Sequence, residues 1–314
     1  MITIERYTPD CCAEWDDLVR RSRNGTLLHE RGYMDYHSDR FDDCSLLARD
    51  DAGRLLAALP ANRAGDTLHS HQGLSYGGWL MPSKRVDAAV MLAVMEAALQ
   101  WLRGEGFTRL LYKPVPHIYH RYPAEEDLYA LWRCGATVAE TGISTTIDLH
   151  DPLPLDRGNR SGLRVAQRAA LDVGESEHWP AYWRLLEEVL ARRHNTRPVH
   201  SLDEIALLHS RFHDRIALHT AELDGNLLAG VVTYYTHTVA HCQYIASSTA
   251  GRELHALTAL FEHLKDVARN RGCRYLDFGI STEEHGRVLN TGLLQQTARL
   301  GGRGTVTQVW ELGV

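Results

Sequence analysis

The residues best suited to proton transfer in this sequence lie on two short predicted strands. His241 and Tyr244 belong to the run 240–246, and Asp277 belongs to the run 274–278. A histidine with a pKa near neutrality can act as a general base, and a tyrosine hydroxyl can donate to a developing negative charge. A carboxylate at a strand end suits amine binding or proton transfer. Equally ordinary interpretations are a hydrogen-bonded strand histidine, a core tyrosine and an aspartate that caps the next turn.

The side chains around these strands divide into two faces and a following loop. The period of an extended strand places His241, Gln243 and Ile245 on one face, with Cys242 and Tyr244 on the other. Ser281, in the loop 279–282, and Asn290, ahead of a helix, are expected to contact substrate. Capping of that helix is an equally good role for Asn290.

A second polar cluster occupies the stretch 113–122 in the first half of the chain. Its candidate substrate-binding residues are Lys113, His117, Tyr119 and His120, interleaved with prolines. Prolines stiffen a loop, and so many polar side chains do not suit a buried strand. The stretch is therefore predicted to line an acceptor cleft between domains, with a polar surface loop as the alternative.

The net charge of the chain limits which nucleic acids could be its partners. The 314 residues carry 34 Lys and Arg against 40 Asp and Glu, a net charge of -6, which argues against DNA. The only candidate basic face for a tRNA combines the stretch 157–168 with Arg192, Arg193 and Arg197. Arg193 and His194, at the end of a predicted helix, could bind a phosphate or could simply be solvated.

Composition and pattern favour a folded cytoplasmic protein. Hydrophobic residues make up 44% and charged residues 24%, close to globular averages. No apolar run of 18 residues predicts a membrane span, and the first residues do not resemble a signal peptide. The six cysteines form no C-x-x-C pair, and no metal site is predicted, although Asp35, His37 and Asp39 alternate.

The sequence pattern indicates an internal duplication of one structural unit. Hairpins with Asp/Gly turns are predicted at 44–59 and 215–232, each followed by a third strand, a helix, a strand, a second helix and a closing strand. The order β-β-β-α-β-α-β indicates a mixed α/β sheet, and no G-x-G-x-x-G or P-loop motif is present. We expect two domains, 1–150 and 151–314, with a helical linker over 151–212 that includes a capping box at Ser201 and Glu204.

This order of elements resembles the GNAT acyltransferase superfamily, and two copies in one chain resemble its Fem-type branch of peptidoglycan-bridge aminoacyltransferases. The segments 275–281, 290–293 and 300–302 are similar to the C-terminal module of that branch. Segments 33–37 and 113–120 resemble uncharacterised bacterial relatives of it. The resemblance covers most of the chain.

The resemblance implies an N-acyltransferase that moves an acyl or aminoacyl group to an amine of a small, glycan-related or peptide-related acceptor. Its catalytic residues would be His241, Tyr244 and Asp277 in the second copy, and the first copy would supply much of the acceptor cleft. Gly251, Arg252 and Gln243 would contact the donor, an acyl-CoA or an aminoacyl-tRNA, with no tightly bound cofactor. The alternative from another class is a duplicated ligand-binding module without turnover, and a metallohydrolase is a distant third.

The sequence departs from the family motifs at two places, and the identity of the donor therefore stays undecided. GNAT enzymes that use coenzyme A usually carry R/Q-x-x-G-x-G/A, whose backbone N–H groups hold the pyrophosphate, whereas the segment 247–253 has a single glycine. Fem-type enzymes that use aminoacyl-tRNA usually carry a lysine before the final glycine pair, where this chain has Thr297. The first departure disfavours acyl-CoA and the second disfavours aminoacyl-tRNA.

Overall fold

The computed structural model describes residues 1–82, 84–194 and 196–314, except for the side chains of Arg193 and His194. The chain divides into two compact units. Unit 1 comprises Met1–Gly142, Glu284–Arg287 and Val306–Val314, and unit 2 comprises Ile143–Glu283 and Val288–Thr305. These units differ from the expected domains 1–150 and 151–314, because the first boundary lies after Gly142 and two later segments, Glu284–Arg287 and Val306–Val314, belong to unit 1.

Unit 1 is built from short strands and a long buried helix. Its helices are α1 (Cys12–Arg21), α2 (Arg31–Met34), α3 (Ala88–Gly104) and α4 (Glu126–Arg133). Its strands are β1 (Thr3–Arg6), β2 (Asp42–Asp43), β3 (Leu46–Arg49), β4 (Leu55–Leu59), β5 (Asn62–Ala64), β6 (Thr67–His69), β7 (Arg109–Tyr112) and the first half of β8 (Thr137–Asp148). Strands β1, β3 and β4 form one antiparallel sheet, and β2, β5, β6 and β7 belong to another.

Helix α3 is the centre of the unit 1 core because one side of it is apolar. Met91, Val94, Met95 and Ala98 are buried in a cluster with residues of the surrounding strands. The helix begins where Asp87 accepts a hydrogen bond from the Val90 amide, as an N-cap does.

Unit 2 continues from β8 into a larger set of helices and strands. Its helices are α5 (Arg157–Arg168), α6 (Trp179–His194), α7 (Leu202–Arg211), α8 (Thr249–Glu253), α9 (Ala256–Asn270) and α10 (Thr291–Arg299). Its strands are β9 (Asp172–Glu175), β10 (Ile216–Leu223), β11 (Asn226–Tyr235), β12 (Val239–Ser247), β13 (Tyr275–Ile280), β14 (Thr282–Glu283), β15 (Val288–Leu289) and the start of β16 (Arg303–Gly313). The expected capping box is confirmed at the start of α7.

The sheet of unit 2 confirms the predicted mixed α/β class. Its strands follow the order β8-β13-β12-β11-β10-β9, and only the β12–β13 pair is parallel. The apolar stripe of α9, which includes Leu260, Phe261 and Leu264, packs against β11, β12 and β13. Two adjacent strands of this sheet, β12 and β13, carry the residues of the candidate site.

From the hairpin onward the two units share the order strand, helix, strand, helix and strand, but β5 in unit 1 and α8, β14 and β15 in unit 2 are additional, and the sheets differ. Unit 1 contains the parallel pair β6–β7 and unit 2 contains the parallel pair β12–β13, and each pair spans three register positions. In unit 2 the preceding hairpin β10–β11 belongs to the same sheet as the parallel pair, whereas the hairpin β3–β4 of unit 1 belongs to a separate sheet.

Candidate functional site

The candidate site is centred on a histidine and a carboxylate at the end of the parallel ladder of unit 2. His241 and Asp277 form the last of the three register pairs between β12 and β13. Their side chains are hydrogen-bonded, with 2.7 Å between His241 Nδ1 and Asp277 Oδ2. Gly279, two residues further along, has a φ of +82°, and a Cβ there would lie 3.6 Å from His241 Cε1. The pairing of β12 with β13 ends at this point, next to the His241 imidazole.

Asp277 is held by hydroxyl groups on its other oxygen. It is 3% exposed, and its Oδ1 accepts hydrogen bonds from Ser144 and, at 3.2 Å, from Thr146, both on β8. Thr305 Oγ1 in turn donates to Thr146 Oγ1 at 3.0 Å. A buried carboxylate needs such partners, and this one is fixed in position by them.

This arrangement sets the tautomer of His241. A carboxylate oxygen accepts, so Nδ1 carries the proton, and Nε2 of the neutral ring is then the acceptor. The ring is about one-fifth exposed, in contrast to the buried carboxylate. The pair therefore has the chemistry of an oriented general base.

A β-bulge corrects the predicted faces of β12. Val232 of β11 pairs with Tyr244, but the next residue, Thr233, pairs with Cys242, so Gln243 is an extra residue without a place in the ladder. His241 and Tyr244 consequently share a face, which the simple alternation had excluded. Cys242 lies on the opposite face, in the core with α9.

On that face, Tyr244 is in polar contact with the α6–α7 connection. Its hydroxyl is 2.5 Å from His200 Nδ1 and accepts the His200 amide at 3.2 Å. Its ring meets the edge of Trp183, and burial raises its pKa. The tyrosine is thus neutral and able to donate.

The residues expected to contact the donor are engaged in the local turn after β12. The Gly251 amide donates to Ser248 Oγ, the N-cap of α8, and a Cβ on Gly251 would lie 2.2 Å from the carbonyl oxygen of Leu228. Arg252 donates to the Ser247 carbonyl at 3.0 Å and to Thr249 Oγ1 at 2.9 Å. Glycine is required here for close packing, whatever its contact with a donor.

Ser281 and Asn290 lie together in the connection from β13 to α10. The Asn290 amide donates to the Ser281 carbonyl at 2.9 Å. Asn290 Oδ1 accepts from the Leu293 amide at 3.0 Å as the N-cap of α10, and its Nδ2 donates to Glu283. Capping is therefore an observed role of Asn290, and Ser281 is buried beside it.

The polar cluster 113–122 is part of unit 1 and is largely packed into it. Lys113 donates to the Leu74 carbonyl, and burial lowers its pKa to about 8. His120 Nε2 lies 2.9 Å from the Val115 carbonyl oxygen, and burial lowers its pKa as well. Tyr119 is buried against Tyr76, whereas His117 is exposed.

The remaining expectations concern phosphate binding, metal binding and membrane spans. Arg193 and His194 end α6, but their side chains lie outside the described residues. Among the side chains that the structure describes, no group of three or more His, Cys, Asp or Glu could hold a metal ion. In the same described part of the chain, no helix is long and apolar enough to span a membrane.

Sequence reasoning missed the hydroxyl groups that hold Asp277. Ser144 and Thr146 are two residues apart on β8, so they share a face, and that spacing was the available signal. Sequence reasoning also missed the contact between His200 and Tyr244, because these residues are 44 positions apart in the chain.

One family model matches part of the chain. Residues 157–287 match the family described as acetyltransferase (GNAT) domain. No curated protein matches the chain significantly in sequence.

Solved structures extend the similarity to the whole chain. FemX matches with a TM-score of 0.68 at 13% identity, over 97% of this chain and 96% of its own. L-PGS from Bacillus licheniformis matches with a TM-score of 0.63 at 11% identity, over 98% and 93%. The C-terminal domain of a putative lysylphosphatidylglycerol synthetase from Agrobacterium fabrum gives 0.58 at 15%, over 96% and 91%. The chain therefore shares the fold of these three structures over nearly its whole length.

Proposed function

We propose that the chain is an N-acyltransferase that moves an acyl or aminoacyl group from an activated donor to the amine of a small, glycan-related or peptide-related acceptor. The observation that carries this proposal is the His241–Asp277 pair at the point where β12 and β13 part. The match of residues 157–287 to the GNAT acetyltransferase family supports the reaction type.

The roles follow from the hydrogen bonds. The acceptor nitrogen attacks the donor carbonyl, an N–C bond forms, and the bond from that carbon to the leaving group breaks. His241 Nε2 takes the proton from the nitrogen, and Asp277 stabilises the resulting imidazolium through Nδ1. Tyr244, on the same face, donates to the oxyanion or the leaving group, and the amides around the bulge at Gln243 polarise the carbonyl.

We propose acyl-CoA as the donor to test first, because the GNAT match favours it. Thr249 and Ala250 are exposed in the first turn of α8, where their backbone N–H groups could donate hydrogen bonds to a pyrophosphate. Gly251 and Arg252 would flank that contact. The cluster of Lys113, His117, Tyr119 and His120 is proposed for acceptor binding, together with Arg193, His194, Ser281 and Asn290.

The first experiment measures thermal unfolding with and without acetyl-CoA, with ATP as a matched polyanion control. Ligand at about 100 times its Kd should stabilise the protein by about 2.7 kcal/mol, a shift of several degrees. A saturable shift with acetyl-CoA alone, followed by mass-spectrometric detection of an acylated amine, would support the proposal.

The alternatives give different results. A shift only with a stable aminoacyl-RNA analogue would exclude acyl-CoA as donor. Ligand binding without turnover of any amine, with either donor, would favour the non-catalytic module and reject the enzyme.

A further inference from the structure

Unit 2 contains a cavity of about 540 Å³ that takes no part in the site described above. It lies beside α10, the start of β16 and the segment that precedes α5. Its apolar wall includes Ile143, Pro154, Leu294 and Ala298. The volume is typical of small-molecule pockets.

The cavity and the His241–Asp277 pair lie on opposite faces of β8. Ser144 and Thr146 turn their hydroxyls to Asp277, whereas Ile143 and Thr145, which alternate with them, line the cavity. A ligand in the cavity would therefore be separated from the proposed chemistry by the sheet itself.

Two arginines and one aspartate give the cavity a net charge of +1. Arg303 is oriented by donating from Nη1 to the Gly302 carbonyl at 2.7 Å. Arg299 Nε lies 3.9 Å from Asp156 Oδ2, a long and largely exposed ion pair. These three are the titratable residues of the lining, so a single negative charge would balance them.

The inner wall of the cavity at β8 is closed. Thr145 is fully buried, and a Cβ added to Gly302 would lie against its Cγ2 methyl group, so this methyl group faces the lining. The charged donors of the lining are therefore those of Arg299 and Arg303.

We propose that this cavity binds a small amphiphilic monocarboxylate. The carboxylate is held by Arg303 and Arg299, which suit its planar geometry, while the hydrocarbon part lies against Ile143 and Leu294. A dianionic phosphate ester would leave an uncompensated charge beside Asp156. The inference rests on unit 2 geometry and is independent of acyl transfer.

The test is calorimetric titration of the full chain with octanoate, compared with octylamine, octanol and octyl phosphate. We expect octanoate to bind at one site per chain and more tightly than the other three. Arg303→Gln should weaken octanoate about tenfold, as loss of a charge-assisted hydrogen bond does. The matched control Arg164→Gln, an exposed arginine on α5 outside the lining, should bind as the wild type does.

The proposal is overturned if octanoate fails to bind at millimolar concentration, if octylamine or octyl phosphate binds as tightly, or if Arg303→Gln leaves the affinity unchanged.

Discussion

His241 faces Asp277 in the parallel ladder of unit 2, whereas the same register position in unit 1 joins His69 to Leu111. Each histidine is the third paired residue of its strand, so the two positions correspond. Only the second copy places a carboxylate beside the ring. This relationship is the structural reason for assigning the proposed chemistry to unit 2.

Replacing either partner of this pair should abolish most turnover without unfolding the protein. His241→Gln removes the proton acceptor, and Asp277→Asn removes the charge that stabilises the imidazolium, so each should lower kcat by about 10²- to 10⁴-fold. The measurement is the steady-state rate of amine acylation, with circular dichroism as the check on folding.

The matched control is His213→Gln. His213 and Asp214 form an exposed pair with 3.0 Å between Nε2 and Oδ1. The control substitution therefore also removes a histidine that is paired with a carboxylate, but one that lies on the surface. Because His241 and Asp277 act together, the double variant should be little slower than the slower single variant. Wild-type rates in both single variants would rule out this base.

Deleting Gln243 should remove the bulge while leaving the fold intact. Without this residue, Cys242 and Tyr244 alternate normally and keep their present faces, so the core packing of β12 is preserved. The amides proposed to polarise the carbonyl would be drawn into the ladder, and turnover should fall by about a hundredfold. Far-ultraviolet circular dichroism and the acylation rate together check this, and an active deletion variant would show that the bulge is not used.

Gly251→Ala should destabilise the protein whether or not a donor binds there. The new methyl group would meet the Leu228 carbonyl and Ser247 Oγ, a crowding that costs about 1–3 kcal/mol. Gly104→Ala at the end of α3 meets nothing within 4 Å and should stabilise by up to about 1 kcal/mol. Urea unfolding of both variants measures the difference, and equal effects would contradict the close packing of Gly251.

Asp127 should make the stability of the protein depend on pH. It is buried on α4, accepts the Tyr112 hydroxyl at 2.6 Å, and burial raises its pKa to about 7 from 3.8. The folded state therefore binds this proton more tightly than the unfolded state. The contribution is complete below pH 3.8 and is lost as the pH rises to about 7, by up to about 1.4 kcal/mol per unit.

The Asp127→Asn variant isolates that contribution. Urea unfolding at pH 5 and at pH 8 should show the wild type losing stability relative to the variant as the pH rises. Dependences that both proteins share cancel in the comparison. An unchanged difference between the two proteins at the two pH values would mean that Asp127 titrates normally.

The element order could be predicted because each element carries a local signal. Asp/Gly turns marked the hairpins, and the pairing of Ser201 with Glu204 marked the start of α7. The bulge at Gln243 has no such signal, because glutamine has no special backbone preference. The contact between Ser144 and Asp277 joins residues 133 positions apart, a distance that no local pattern reaches.

Strand β16 has a consequence for how the protein is made. Its residues from Val306 onward belong to unit 1, where Trp310 pairs with Tyr112. The ribosome therefore releases nearly all of unit 2 before it synthesises the strand that completes unit 1. Unit 1 is thus synthesised first but can complete its fold only after unit 2 has been made. A fragment that ends after the first 150 residues would lack β16 and would leave one edge of β7 unpaired.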